Sequence, residues 1–74
     1  MFLNEIRPKS KCRIMRIHGK GRVCTRLLDM GCLKGEEIEV VRIAPLGDPI
    51  DIKIKGYHLS LRKEEAKNIE VEAI

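Results

Sequence analysis

A chain of 74 residues has room for one domain, and 43% hydrophobic with 35% charged residues is the balance of a folded globular chain rather than a disordered one. No apolar run approaches the ~18 residues that a membrane-crossing helix needs, and Asn4, Glu5 and Pro8 interrupt what would be the apolar core of a signal segment. A single domain over residues 1–74, cytoplasmic and not inserted in a membrane, is the expectation. The formal charge of +4 is divided along the chain. Residues 1–34 carry nine basic against two acidic side chains, whereas residues 35–74 carry six basic against nine acidic. Such a division suits the steering of an acidic partner onto a basic face. Three cysteines, Cys12, Cys24 and Cys32, are an odd count at low density, so they are read as reduced thiols.

Residues 11–17 alternate as a strand at first, with Cys12 and Ile14 on one face, then change phase so that Met15 and Ile17 are apolar. A bulge or sharp bend near Ile14 accounts for the change. Gly19 and Gly21 break the pattern, and from Arg22 the period becomes helical, with Val23, Leu27 and Met30 at i, i+4 and i+7 and Cys24 and Leu28 beside them. Gly31 is the natural stop, because glycine adopts positive φ most cheaply. Residues 36–43 resume alternation, with Ile38 and Val40 inward, and slip phase again at Val41. Ala44-Pro45-Leu46-Gly47-Asp48-Pro49 reads as a loop, since prolines lack the amide that a central strand requires. Ile50, Ile52 and Ile54 then alternate with Asp51, Lys53 and Lys55; Gly56 turns the chain, and Tyr57, Leu59 and Leu61 alternate with His58, Ser60 and Arg62, a hairpin in which Tyr57 takes an inward phase. Residues 63–67 allow one helical turn anchored by Ala66, and Ile69 and Val71 make a last strand. Five short, bent strands and one short helix define a mostly β domain, a small, partly open barrel with the helix over one opening. Ile38, Val40, Ile52, Ile54, Leu59 and Leu61 are the expected core.

The residues exclude several chemistries. Gly19-Lys20-Gly21 lacks the upstream glycine and the following Ser or Thr of a phosphate-binding loop, so it reads as a strand-to-helix turn. Thiols separated by eleven and seven residues lack the close spacing of a metal site, and free cysteine behaves as a small buried hydrophobe. Only a site drawing on Cys32, His18 or His58 would depart from that, and no metal or cofactor is expected. No nucleophile or base stands in a recognisable catalytic context, which points away from an enzyme. A small nucleic-acid-binding barrel is the alternative that the basic first half raises. Such barrels stack bases on aromatic platforms, and here Phe2 and Tyr57 are the only aromatic residues.

Three segments in order, Leu27-Leu28-Asp29-Met30-Gly31 through Gly35, then Ala44 to Pro49, then Tyr57-His58-Leu59-Ser60-Leu61-Arg62-Lys63-Glu64-Glu65-Ala66, resemble the FeoA family of bacterial ferrous-iron transport. The chain departs from the family pattern at Cys32-Leu33-Lys34-Gly35, where Leu-x-Pro-Gly is usual, and at Pro8-Lys9, where Pro-Gly often stands. The resemblance implies an SH3-like barrel and a non-enzymatic accessory role at the FeoB membrane transporter, whose cytoplasmic GTP-binding domain would be the partner, with no nucleic acid involved. For the docking surface the residues point to the helix and the loop after Ile43. Arg22 and Arg26 lie on one helical face beside Met30, and Leu46 and Asp48 sit on the proline-stiffened loop. Leu27 and Met30 would also help to plug the barrel.

Overall fold

The computed structural model describes residues 1–19 and 21–74; the turn read at Gly19–Gly21 therefore includes Lys20, which lies outside the described residues. A single-turn 3-10 helix, Leu3–Glu5, precedes β1 (Lys11–Ile17), α1 (Arg22–Asp29), β2 (Glu37–Ile43), β3 (Ile50–Ile54), β4 (Tyr57–Leu61), a single-turn α2 (Lys63–Ala66) and β5 (Ile69–Ala73). The strands form one antiparallel five-stranded sheet in the order β4-β3-β2-β1-β5.

Both phase slips in the sequence are bulges. In β1, Ile14 pairs with Val71 and Arg16 with Glu70, leaving Met15 extra; in β2, Val40 pairs with Ile52 and Arg42 with Asp51, leaving Val41 extra. An extra residue on one strand bends it and raises the local twist, which is how so short a sheet curls around its own core. Beyond each bulge the inward phase resumes, and Ile17 and Ile43 pack partly buried against the core. Cys12, Ile14, Ile38, Val40, Ile50, Ile52, Ile54, Leu61, Ile69 and Val71 are buried. The expected inward positions of β2 and β3 are confirmed by this burial.

Three features differ from the sequence reading. Leu59 is only half-buried and Tyr57 is 44% exposed, because β4 is an edge strand whose inward face is incompletely covered. Leu3 and Ile6, in a segment without a periodic signal, are core residues. Their 3-10 turn is closed by the Glu5 carboxylate, which accepts the Phe2 N–H at 2.6 Å. The charge division along the chain is also partly offset in space. Arg13 of β1 lies between Glu72 of β5 at 3.4 Å and Glu37 at 3.9 Å, and Arg16 is in register with Glu70, so acids of the second half cover basic residues of the first.

Ile52 is fully buried at the middle of β3, between β2 and β4. Ile52→Ala is expected to cost about 2–5 kcal/mol, a large share of a small domain's stability, and to lower the melting temperature by well over ten degrees; thermal unfolding followed by circular dichroism checks this.

Candidate functional site

The helix α1 is weak by its own sequence. Gly21 at its N-cap offers no side-chain oxygen, its first turn contains no acid, and Arg22 sits where the helix dipole disfavours a cation. With eight residues it depends on packing for its stability, and Leu27 supplies that as its one fully buried side chain. Its end is well built. The Cys32 N–H donates to the Leu27 carbonyl at 3.0 Å and the Gly31 N–H to that of Leu28 at 3.0 Å, a Schellman closure with Gly31 at φ +90°. A side chain on Gly31 would also meet the Tyr57 hydroxyl, 3.2 Å from the Cβ position. That hydroxyl donates to the Met30 carbonyl at 2.8 Å and ties the helix end to β4. Cys32, where the usual family leucine is absent, is fully buried and shares the core with Leu27.

The loop after β2 is stiffened by its own hydrogen bonds. The Gly47 N–H donates to the Ala44 carbonyl at 2.7 Å, and the Ala44 N–H donates to that of Pro49 at 3.1 Å. Asp48 points back into the domain, accepting the Lys63 N–H at 3.0 Å and pairing with Arg62 at 3.3 Å. From the other side Glu65, only 6% exposed, accepts the Arg62 N–H at 2.9 Å and pairs with Arg26 of α1 at 3.2 Å. The single turn α2 thus joins α1 to the loop, with the carboxylates of Asp48 and Glu65 each satisfied by one backbone amide and one guanidinium.

Of the five residues singled out in the sequence, Arg22, Arg26 and Met30 border one shallow groove of about 520 Å³ along α1, together with Gly21, Thr25 and Asp29. Arg26 and Asp48 are brought to the same end of the barrel through α2, and Leu46 projects from the loop tip with 93% of its surface exposed. Met30 is half-buried against the core, whereas its neighbour Leu28 is 45% exposed, so Leu28 carries more of the free apolar surface at the helix end. The hydrophobic periodicity covered both residues and did not separate them.

The remaining polar candidates are dispersed. His58 is exposed on β4, and Cys32 is in the core. His18 lies against Glu70, with Nε2 and Oε1 2.6 Å apart; the ring N–H donates, since a carboxylate can only accept. Phe2 packs beside that imidazole, ring centroids 5.5 Å apart. Among the described residues no three His, Cys, Asp or Glu side chains come together in a way that would hold a metal ion. Burial pushes the Cys12 thiol up to about 11. Cys32 is raised by burial, with the nearby Glu65 carboxylate adding to the effect and Lys55 opposing it.

Residues 1–73 match the FeoA domain family. The chain belongs to that family. It is 43% identical over all 74 of its residues to a protein of Porphyromonas gingivalis described as a fusion of Fe(2+) transport protein A with the Fe(2+) transporter FeoB, and it spans only 9% of that relative's length. The solution structure of iron(II) transport protein A from Clostridium thermocellum superposes with a TM-score of 0.94 at 46% identity, covering 100% of this chain and 46% of that one. A FeoA-like protein from Clostridium acetobutylicum gives a TM-score of 0.94 at 44% identity, over 100% of this chain and 86% of that one. The Stenotrophomonas maltophilia FeoA, described as a prokaryotic SH3 domain protein and solved with zinc, is more distant at 26% identity and TM-score 0.86, over 97% and 89% of the two chains. The fold is therefore the SH3-like barrel that the family resemblance implied, in keeping with the small, mostly β barrel of the strand pattern.

Two outcomes follow from these environments. In the native protein near neutral pH, Cys24, half-buried on α1, is expected to react with an aromatic disulfide reagent, while Cys12 and Cys32 react only after denaturant is added; counting thiols released with time checks this. The His18 hydrogen bond, as the largest cause, holds the Glu70 carboxyl below the usual glutamate range. A carboxyl whose folded pKa is lowered contributes stability that is fully present above its unfolded value and is lost as pH falls through the lowered one. Melting temperatures across the acid range should therefore fall less steeply in His18→Ala than in the parent protein.

Proposed function

We propose that this chain is a non-enzymatic, cytoplasmic accessory protein of bacterial ferrous-iron uptake, docking on the cytoplasmic GTP-binding domain of a FeoB-type transporter. The observation that carries the reading is the fusion in the Porphyromonas relative, where a FeoA segment 43% identical to the entire chain is part of one polypeptide with the transporter. Covalent linkage keeps two modules at high effective concentration, which is useful only if they act on each other. A protein partner also fits the surface better than nucleic acid does. The basic residues of β1 are interleaved with acids, Phe2 packs beside His18, and the Tyr57 hydroxyl is engaged with α1.

The proposed docking surface is the exposed side of α1 with the loop that α2 holds beside it. Arg22 and Arg26 attract an acidic patch, Leu28 with the partly exposed Met30 gives apolar contact, and Leu46 extends it at the loop tip. Asp48 contributes by holding the loop against α2. Rigid presentation of Leu46 keeps the entropy lost on docking small.

Calorimetric titration against the transporter's cytoplasmic domain, with and without guanine nucleotide, tests the reading. Leu28→Glu and Leu46→Glu are expected to weaken binding about tenfold or more without changing the melting temperature. Met30→Glu differs, because it drives a carboxylate into the half-buried site and should lower stability as well. Absence of binding by the parent protein in either nucleotide state rejects the docking partner. Unchanged affinity in both leucine variants rejects the surface.

A further inference from the structure

The open sheet has two edges, and they are treated differently. The outer edge of β5 is covered by the start of the chain, where the Val71 N–H donates to the Met1 carbonyl at 2.8 Å and Phe2 bridges to Glu70. The outer edge of β4 has no backbone partner among the described residues. Its register with β3 runs unbroken from Tyr57 to Leu61, with none of the prolines or bulges that usually blunt an edge. The two-residue turn at Lys55 and Gly56, both at positive φ (52° and 83°), fixes which groups face outward. Tyr57, Leu59 and Leu61 exchange their hydrogen bonds with β3, so the N–H and C=O groups of His58 and Ser60 point away from the sheet. Beside them Val41, Asp51, His58, Leu59 and Ser60 line a shallow groove of about 360 Å³.

The charge beside this edge is positive. Of the nearby carboxylates, Asp51 is engaged with Arg42 at 3.5 Å and Asp48 with Arg62 at 3.3 Å, while Glu39 lies in register with Lys53 on the β2 side of β3, away from the open edge. Lys53, directly opposite His58 on the outer face, and Lys63 just beyond the strand have no carboxylate within 4.0 Å among the described residues. A second copy of the chain would set this positive edge against itself.

We propose that β4 accepts an extended, acidic peptide segment by strand addition, pairing with the outward backbone groups of His58 and Ser60. Alternation along the added strand sets its composition. Residues on the outer face lie beside His58, with Lys53 one strand further in, and are acidic, and those between them lie beside Leu59 and Tyr57 and are apolar. The surface is separate from the exposed side of α1 and does not rest on the docking proposed there.

The probe is an acetylated and amidated heptapeptide of alternating glutamate and valine, with a lysine-for-glutamate analogue as counter-probe, and the readout is amide hydrogen exchange by NMR. In the free protein the His58 and Ser60 amides should exchange quickly while those of Tyr57, Leu59 and Leu61 are protected. The glutamate peptide should protect His58 and Ser60, and the lysine peptide should not. Ser60→Pro removes one outward N–H without touching the β3 ladder, and it should weaken the peptide about tenfold or more. Lys53→Gln, which removes no backbone group and sets no like charge opposite Glu39, should weaken it severalfold with an unchanged melting temperature, and Leu28→Glu should bind the peptide as the parent does. The proposal is overturned if His58 and Ser60 are already protected in the free protein. Protection that grows with protein concentration and needs no peptide would assign the edge to a second copy instead. Equal binding of both peptides, or parental affinity in Lys53→Gln, would also reject it.

Discussion

Pairing between β1 and β5 brings residues 59 positions apart, Arg13 and Glu72, within 3.4 Å, and most of the structure is arranged around that closure. It sets the buried Ile14 and the half-buried Ile17 beside Val71 and Ile69. It gives the first residues an edge to lie along, which carries Leu3 and Ile6 into the core. It also mixes the charges, setting Glu72 and Glu70 of the acidic second half beside Arg13 and Arg16 of the basic first half. Closing so long a loop costs chain entropy, and only the apolar burial along both strands offsets it.

On that frame α1 is an attachment rather than a pillar. It lacks an N-terminal cap and begins with an arginine, and it is held by Leu27 in the core, by Tyr57 at its end and by Arg26 on Glu65. Glu65 gives that last contact its importance, since a carboxylate this buried needs both the Arg62 amide and the Arg26 guanidinium. The same turn receives Asp48 from the loop. Two segments that local sequence leaves unrelated thereby acquire a fixed mutual position through a helix of four residues.

Periodicity was legible where one face of a strand is fully covered. Ile38, Val40, Ile52 and Ile54 followed their alternation, and the two phase slips located the bulges at Met15 and Val41. It failed at Tyr57 and Leu59 because alternation assigns a side but not how well that side is covered, and β4 lies at an edge. Leu28 and Met30 were inseparable for a related reason: both lie near the apolar stripe, and the roll of the helix is set by Leu27, Tyr57 and Glu65 from three separate places in the chain. Asp48 read as a docking residue on the loop, and its turn back into the domain was not legible because its amide partner, Lys63, lies fifteen positions away. The three family segments were legible, and they mark what local motifs can carry: the helix stop, the loop and the β4–α2 junction.

The order of synthesis gives the β1–β5 pairing a kinetic consequence. Strands β2, β3 and β4 follow one another and can pair with short connections as they leave the ribosome, but β1 keeps an unpaired edge until residues 69–73 have emerged. During that interval the apolar side of β1 lacks its cover, and the charged side chains of Lys11, Arg13 and Arg16 along the strand are the edge-blunting device already present. Arginines that in the finished barrel lie beside Glu72 and Glu70 thus also guard the nascent chain against pairing with the wrong strand.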